Sequence, residues 1–352
     1  MTKSASNTPF NFIAGSILII KGALVGIANI IPGVSGGTFA LILGIYERLL
    51  ASLRSFTYTN VKKLLVSLVT IWKHEARTLF VDMLKQMDIA FLICLAVGAG
   101  ISILGLSFGI DYLLTEFPGM TLSFFLGLII PSIIVPWKMM NNLKTTSQLA
   151  MAIPGVLLTV SLALSFGKFA TFGDNLIWSF LTGAIAISAM ILPGISGSFV
   201  LLVLGQYQNI LRKLQTAQTS FDFTAIIWLA VFALGCAAGL LLFARLLGIL
   251  LKHYRNATLA FLIGLIIGSF WTLWPFKDFH QEPDLTHIEQ EFRERVSDKQ
   301  DIRIATAPNS LPHSGSEILW NGIFFVLGLA GATAMNKLGG DHTVDIPIRR
   351  KA

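Results

Sequence analysis

Two short segments rich in glycine and serine carry the residue types that could bind an anion. The first reads Pro-Gly-Val-Ser-Gly-Gly-Thr at 32–38, and the second reads Pro-Gly-Ile-Ser-Gly-Ser at 193–198. Glycines leave backbone N–H groups accessible, and Ser and Thr hydroxyls are further donors. If a half-helix begins directly after each segment, its positive end favours a phosphate at the same place. The candidate substrate-binding residues of the two motifs are Pro32, Gly33, Ser35, Gly36, Gly37, Thr38, Pro193, Gly194, Ser196, Gly197 and Ser198.

Three charged residues near the first motif extend this candidate site. Lys21 lies within an apolar stretch, where a charged side chain is costly and is often functional, although a lysine can also reach the membrane surface. Glu47 and Arg48 follow the first motif, whereas Gln208 and Asn209 stand at the matching positions after the second. A charge pair at this place could equally be structural, and the mismatch argues against a symmetric acidic role.

The two motifs belong to a duplicated sequence. Residues 22–50 align without a gap with residues 183–211, at an offset of 161 residues. A second block at 121–130 recurs at 258–267 with an offset of 137, so the first half carries 24 extra residues between the blocks. Duplication with apolar segments broken by Pro and Gly is typical of transporters that bind substrate between their repeats. Tight packing alone is the structural alternative. We predict two membrane repeats, 1–170 and 171–352.

Composition predicts an all-α polytopic membrane protein. Hydrophobic residues make up 54% of the chain and charged residues only 13%, against about 25% charged in soluble domains. A helix needs roughly 17–25 apolar residues to cross a bilayer, and about six segments meet that requirement. These predicted transmembrane helices are Ile89–Ile110, Met120–Pro136, Leu149–Phe166, Thr224–Leu251, Ala257–Pro275 and Glu317–Met335.

The segments that contain the motifs are predicted to form two re-entrant helical hairpins, at 12–53 and 176–211. Proline and glycine break each segment into arms too short for a comfortable span, although two transmembrane helices remain the alternative for the first segment. Broken backbone at membrane depth must be buried in protein or line a wet cavity. We place the hairpin tips at Gly33–Gly37 and Gly194–Ser198. The first half then consists of one hairpin, which returns to its own face, and three membrane crossings. Because three is odd, the second half begins on the opposite face, which predicts an inverted-topology repeat.

The distribution of basic residues predicts the orientation. In this topology most Lys and Arg residues fall on the amino-terminal face, so both termini are expected to be cytoplasmic in a bacterial inner membrane. Residues 61–87 alternate apolar and basic positions and predict an amphipathic helix on the cytoplasmic surface. Residues 277–314 are predicted to form a polar external loop. The net charge of +7 suits contact with anionic membrane lipids. A nucleic-acid partner is not expected, because the sequence has no basic patch interleaved with aromatic residues.

Other chemistries have weaker support in the sequence. Gly-x-Ser-Gly occurs in both motifs and resembles the nucleophile motif of rhomboid proteases, but a nucleophilic serine needs a nearby base. Of the six histidines, none lies inside an apolar span. Cys94 and Cys236 lie in apolar spans and are expected to be buried thiols, and no Cys/His spacing predicts a metal site. No cofactor and no catalytic residues are expected.

The run Ala-Asn-Ile-Ile-Pro-Gly-Val-Ser-Gly-Gly-Thr, its second copy, and the block Phe261–Phe276 resemble a bacterial and archaeal membrane protein family. It is the PopT family of undecaprenyl-phosphate flippases, formerly of unknown function. The likeness covers nearly the whole chain, although the loop at 277–314 looks longer than the family pattern. The resemblance implies return of undecaprenyl phosphate from the outer to the inner leaflet, for reuse in peptidoglycan and other envelope polymers.

The chemistry of such a lipid agrees with the motifs. The phosphate cannot cross hydrocarbon unaided, because burial of an unpaired anion is very costly, whereas the chain can stay in lipid. Alternating access between two inverted halves could offer the head a polar path. Proton coupling fits a phosphate monoester that titrates near about pH 6, but the sequence does not indicate which residue would carry the proton. A small-anion transporter or channel is the alternative, since such motifs suit chloride and carboxylates equally well.

Overall fold

The computed structural model describes residues 12–30, 34–140, 146, 150–165, 175–278 and 307–339, and these residues are built into helices joined by short turns. Their only β contact is an isolated antiparallel bridge between Lys277 and Asn309. The prediction of an all-α protein is confirmed for the described residues. Pro32 and Gly33 lie outside the described residues, as does most of the predicted external loop.

The first half contains nine α-helices among its described residues. They are α1 (Phe12–Ile30), α2 (Gly36–Ile42), α3 (Tyr46–Arg54), α4 (Tyr58–Val69), α5 (His74–Gln86), α6 (Ile89–Glu116), α7 (Pro118–Ile129), α8 (Ile134–Met139) and α9 (Ala152–Leu164), with a 3-10 turn (Ile130–Ile133) between α7 and α8. The described part of the second half contains α10 (Leu176–Ile191), α11 (Gly197–Val203), α12 (Tyr207–Ser220), α13 (Phe223–His253), α14 (Arg255–Thr272) and α15 (Gly315–Gly339).

Each predicted span corresponds to a helical segment, and four described segments are long and apolar enough to cross a membrane by themselves. These are Pro118–Met139, Phe223–His253, Arg255–Thr272 and Gly315–Ala334. Two bent helix pairs raise the number to six if each pair is one span. The described residues therefore support four to six spans, and the re-entrant hairpins and inverted topology stay predictions.

Helix packing follows the duplication. α1 packs against α6 in the first half, and the corresponding helices α10 and α13 pack together in the second. Two further extensive pairs join the halves, since α7 packs against α15 and α14 packs against α9. Glycines lie in these contacts, as Gly98 does against the Ile19 carbonyl and Gly235 against the Phe180 carbonyl. Small residues of this kind allow helices to approach closely in lipid. Each half therefore supplies a helix that completes the other half.

The prediction of one amphipathic helix over 61–87 is wrong, because the structure has two helices there. α4 ends at Val69 and α5 begins at His74, and the two helices pack together. Three β-branched residues in a row, Val69, Thr70 and Ile71, disfavour helix at the break. The second half has no such pair, since α12 leads into α13 through Phe221 and Asp222. The extra residues of the first half are thus largely α4 and α5.

A second break follows each motif, which the sequence analysis did not predict. α2 and α3 meet at an angle of 116°, and Gly44 at the bend has a φ of 66°. Gly205 stands at the matching place between α11 and α12, with a φ of 68°. Glycine adopts this left-handed conformation without steric cost. Each motif therefore leads into a helix of only seven residues that ends in a sharp turn.

Candidate functional site

The two motifs contact each other directly. The hydroxyl of Ser35 donates a hydrogen bond to the carbonyl oxygen of Leu192 at 2.8 Å, across 157 residues of sequence. The backbone N–H of Gly194 donates to Oγ1 of Thr38 at 2.9 Å. We call this region, Ser35–Thr38 with Leu192–Ser198, the motif junction. The tertiary structure brings together candidate residues that the sequence supplied only as two separate copies.

Side chains hold the backbone donors of the first motif. Ser35 is the N-cap of α2, and its hydroxyl accepts a hydrogen bond from the N–H of Gly37 at 3.1 Å. The N–H of Gly36 donates to Oδ1 of Asn29 on α1 at 3.1 Å. A cap of this kind satisfies donors that the start of a helix leaves without partners. Sequence analysis missed Asn29, although a polar residue in an apolar helix beside the motif was a usable signal.

The second motif is held by a different arrangement. Oγ of Ser196 and Oγ of Ser198 lie 2.8 Å apart and share a hydrogen bond. Gly194 has a φ of 89°, and a Cβ added there would lie 2.5 Å from the backbone of Leu265 on α14. Met190 occupies the position that corresponds to Asn29, and its side chain has no oxygen to accept a bond from Gly197. The second motif therefore depends on backbone conformation where the first depends on a side-chain acceptor.

Most of the motif junction is buried, whereas Leu192 and Ser198 are half-buried. The exposed fractions of Ser35, Thr38 and Ser196 are 1%, 0% and 3%, and Pro193 is also buried. Neither serine of the Gly-x-Ser-Gly sequences is bonded to a histidine, since Ser35 bonds a backbone carbonyl and Ser196 bonds Ser198. Among the described residues, neither serine therefore has the hydrogen-bonded base that activates a nucleophile. A ligand that binds here must first replace the hydrogen bonds between the two motifs.

The charged candidate residues lie at the other end of α2. Lys21 donates from Nζ to the carbonyl oxygen of Leu43, the residue that caps the end of α2, at 2.9 Å. Because α2 has seven residues, this contact is about 10 Å of helix away from Ser35. The structure thus divides the predicted site into the motif junction and a separate group of charges.

That group, which we call the charged cluster, consists of Lys21, Glu47, Arg48, Asp88 and Arg255. Arg48 forms two hydrogen bonds with Asp88, at 2.6 and 2.9 Å, and its guanidinium lies over the ring of Phe91 at 4.3 Å. Nη2 of Arg255 lies 3.9 Å from Oε1 of Glu47. These pairs are partly exposed, so each contributes little to stability. Asp88 and Arg255 were missed because each lies far from the motifs in sequence.

Comparison with known proteins identifies the family. Residues 25–290 match the VCA0040-like family, which is described as undecaprenyl phosphate translocase-like. The chain belongs to this family. The matched range includes both motifs and four members of the charged cluster, whereas Lys21 and α15 lie outside it. The family resemblance noted in the sequence is thereby confirmed.

Two relatives of the chain carry the same descriptive name. A polyprenyl-phosphate transporter of Vibrio cholerae is 38% identical over 261 residues, which cover 74% of this chain and 77% of the relative. A polyprenyl-phosphate transporter of Staphylococcus aureus is 32% identical over 270 residues, which cover 74% of this chain and 86% of the relative. No solved structure is significantly similar to the chain.

The remaining sequence expectations concern cysteines and metals. Cys94 and Cys236 are free thiols, and both are half-buried where the sequence analysis expected buried thiols. Within the described ranges no group of three or more His, Cys, Asp or Glu side chains is placed to hold a metal ion. The site chemistry in those ranges therefore consists of hydroxyls, backbone amides and the charged cluster.

Proposed function

We propose that this protein transports a polyprenyl phosphate across the bacterial cytoplasmic membrane, from the outer to the inner leaflet, so that the carrier can be reused in envelope polymer synthesis. The observation that carries the proposal is the buried contact between the two glycine-serine motifs, in a chain whose relatives are named polyprenyl-phosphate transporters. A phosphate requires donors at depth, and this junction holds hydroxyls and amides where the two halves meet.

The energies of the junction are compatible with opening. The two hydrogen bonds between the motifs join neutral groups, and each contributes about 0.5–1.5 kcal/mol net. Hydrogen bonds to an ionised phosphate are roughly twice as strong as neutral ones. A phosphate that enters between the motifs would therefore replace weaker bonds by stronger ones. In this proposal Ser35, Thr38, Ser196 and Ser198 supply hydroxyl donors, and the motif glycines admit the phosphate close to the backbone.

The charged cluster is proposed as the station at the cytoplasmic face. Lys21 and Arg48 are cations close to the end of α2, and Asp88 and Glu47 balance the charge while no phosphate is present. In the proposed topology Arg54 and the basic residues of α4 and α5 lie on the same side, as the positive-inside rule expects for a cytoplasmic surface. A phosphate that leaves the junction along α2 would meet these cations about 10 Å further on.

Alternating access is the proposed way in which the two halves expose the junction. The exchange of helices between the halves, α7 with α15 and α14 with α9, supports a two-fold related pair of repeats. Inverted topology would let one set of contacts open toward either face. Coupling to protons belongs to the same proposal, because a phosphate monoester titrates near about pH 6 and its charge during transport would depend on pH.

The experiment uses proteoliposomes that contain undecaprenyl phosphate and the full-length protein. A membrane-impermeant reagent reports how fast phosphate groups of the inner leaflet become accessible outside. We expect faster exposure with the wild type than with empty vesicles, and loss of that rate in Ser35→Ala/Ser196→Ala. The matched control is Ser161→Ala, an exposed serine on α9 whose hydroxyl bonds only its own helix.

A chloride-flux assay on the same vesicles tests the small-anion alternative. Chloride flux without lipid movement would overturn the flippase proposal and favour an anion carrier. Lipid movement that persists in the double variant would leave transport intact but remove the motif serines from the mechanism. Because both serines also hold the structure together, the double variant must be shown to be folded at the assay temperature before a lost rate is assigned to transport.

A further inference from the structure

A second site lies at the opposite end of α6 from the charged cluster. A cavity of about 360 Å³ opens where α6 ends and where α7 and α15 begin. Asp88 precedes the first residue of α6 and Glu116 is its last residue, so the 28 residues of the helix separate the cavity from the charged cluster by about 40 Å. None of the residues that line the cavity belongs to the motif junction or to the charged cluster, so the cavity is distinct from the proposed transport site.

Asn321 is the first indication that this cavity holds a ligand. Its exposed fraction is 5%, it lines the cavity, and its amide has no hydrogen-bond partner among the described residues. Its amide atoms are not among the fully enclosed ones without a partner, so they stay open to the cavity, where a ligand can form hydrogen bonds with them. Gly119 leaves the space beside it, because a Cβ added there would lie 3.1 Å from Oδ1 of Asn321.

The inner wall of the cavity suits an anion. Lys277 has an exposed fraction of 8%, and its Nζ donates to Oδ1 of Asn309 at 2.9 Å and to the carbonyl oxygen of Ala307 at 3.3 Å. An ammonium has three donors, so these contacts leave one for a ligand. α7 and α15 both begin at the cavity, and the positive ends of their dipoles favour negative charge at this place.

The rim of the cavity suits a cation. Glu116 is exposed at the end of α6, where its carboxylate would repel a simple anion. The aromatic side chains of Phe117 and Trp320 stand beside it in the lining, and aromatic faces attract ammonium groups. Glu317 also lines the cavity, but it is engaged at the start of its own helix, where Oε2 accepts a hydrogen bond from the N–H of His313 at 2.8 Å.

Exposed tryptophans place the cavity at the depth of lipid headgroups. Trp271, Trp274 and Trp320 have exposed fractions of 48%, 37% and 50%. Trp274 is tied to the cavity region by a hydrogen bond from Nε1 to the carbonyl oxygen of Ser310, and Trp271 accepts one from Asn309. Tryptophan is enriched where a membrane protein meets the boundary between hydrocarbon and water.

We infer that this cavity binds the headgroup of a phospholipid that carries both a phosphate and a primary ammonium, as phosphatidylethanolamine does. The phosphate lies against Lys277 and Asn321, and the ammonium lies between Glu116 and Trp320. The volume is at the lower end of the range of ligand pockets, which fits a headgroup whose acyl chains remain in the bilayer. This inference does not depend on the proposed transport function, because its test measures only the binding of a lipid to the cavity.

The test measures lipid binding to the purified full-length protein in detergent by native mass spectrometry. The probes are dihexanoyl phosphatidylethanolamine, dihexanoyl phosphatidylglycerol, which lacks the ammonium, and farnesyl phosphate, a phosphate monoester. We expect the ethanolamine lipid to bind most tightly. Asn321→Leu should weaken it by about tenfold, as expected for loss of a hydrogen bond to a charged group. Gly119→Ala should weaken it by a similar factor, because the added Cβ would crowd the amide of Asn321.

Two further variants separate the parts of the site. Glu116→Gln should reduce binding of the ethanolamine lipid to the level of the glycerol lipid. Gly322→Ala is the matched control for Gly119→Ala, because a Cβ at Gly322 would meet nothing within 4 Å, and it should bind as the wild type does. The thermal midpoint of each variant shows whether it is folded, and the Asn321 and Gly119 variants check each other if one fails to fold.

Three outcomes would overturn the inference. Equal affinity for the ethanolamine and glycerol lipids would remove the role of the ammonium. Tighter binding of farnesyl phosphate, weakened by Asn321→Leu, would make the cavity a site for a phosphate monoester. Binding that none of the cavity variants changes would place the lipid elsewhere on the protein.

Discussion

In the first glycine-serine motif a side chain fixes each backbone donor, whereas in the second the backbone bends to make the contact. Asn29 and Ser35 hold the N–H groups of Gly36 and Gly37, while Gly194 reaches Thr38 through a left-handed backbone conformation. The copies have similar sequences but fit different surroundings, because one packs beside Asn29 and the other beside Met190 and Leu265. The two copies of a duplicated motif can therefore form one junction in different ways, the first through side-chain acceptors and the second through its backbone conformation.

Among substitutions in the two motifs, we expect the largest loss of stability at Gly194. Gly194→Ala should lower the free energy of unfolding by about 2–4 kcal/mol, because its positive φ is strained for alanine and its Cβ would meet the backbone of Leu265. Gly36→Ala should cost about 1 kcal/mol, because the atoms nearest to its Cβ would belong to the side-chain amide of Asn29 and not to the backbone. Unfolding in detergent measures both. Equal losses would contradict the difference between the motifs, and Gly100→Ala, where a Cβ has free space, is the control.

A second prediction compares the motif junction with the cavity beside Asn321. Burial lowers the pKa of Lys277 from 10.5 to about 8, whereas the described hydrogen bonds between the motifs involve hydroxyls and amides. Between these two pH values the unfolded chain keeps the proton that the folded protein has lost, so the free energy of unfolding rises with pH by up to about 3 kcal/mol.

Lys277→Met should remove that rise between pH 8 and 10.5, and Thr38→Val should leave it unchanged while lowering stability at every pH. Unfolding curves measured across this window test both variants. A flat profile in the wild type would show that the ammonium stays charged in the folded protein.

The serines of the two motifs should differ in their effect on stability. Ser35→Ala removes the cap of α2 and the bond to Leu192, and we expect a loss of about 2 kcal/mol. Ser196→Ala removes one bond between hydroxyls, and we expect about 1 kcal/mol. Thermal unfolding of the two single variants gives the comparison, with Ser161→Ala as the unaffected control. A larger loss at Ser196 would mean that the second motif also depends on its serine for structure.

The smallest expected effect converts the first motif toward the second. Asn29→Met deletes the acceptor of the Gly36 N–H, and we expect a loss of about 1 kcal/mol. The reverse change, Met190→Asn, should be nearly neutral if the new amide finds the N–H of Gly197. Stability of the two single variants and of the double exchange measures the coupling between them. A strongly destabilised Met190→Asn would show that the second motif cannot accept the side-chain arrangement of the first.

Much of the fold was accessible from local sequence patterns. The positions of α6, α13 and α14 follow from apolar runs, since such a run needs a helix to satisfy its backbone in lipid. The break at Val69–Ile71 was also visible in principle, as three β-branched residues, but the amphipathic pattern on both sides concealed it. The bends at Gly44 and Gly205 were missed because a single glycine does not distinguish a bend from a tolerated helix position.

The division of the candidate site was beyond sequence reasoning. Lys21 and Ser35 are close in sequence and were grouped together, yet they lie at opposite ends of α2. Asp88 and Arg255 complete the charged cluster from 41 and 208 residues beyond Glu47, so no spacing rule connects them.

By itself the sequence determined the helical membrane class, the duplication, the two motifs and the family, because hydropathy and repeated residues are properties of local segments. The tertiary structure alone decided that Ser35 and Thr38 meet Leu192 and Gly194, that each half supplies a helix to the other, and that Asn321 lies beside Gly119 in the wall of a cavity. The physical reason is that such contacts depend on how helices pack at close range, and many packings are compatible with the same apolar pattern.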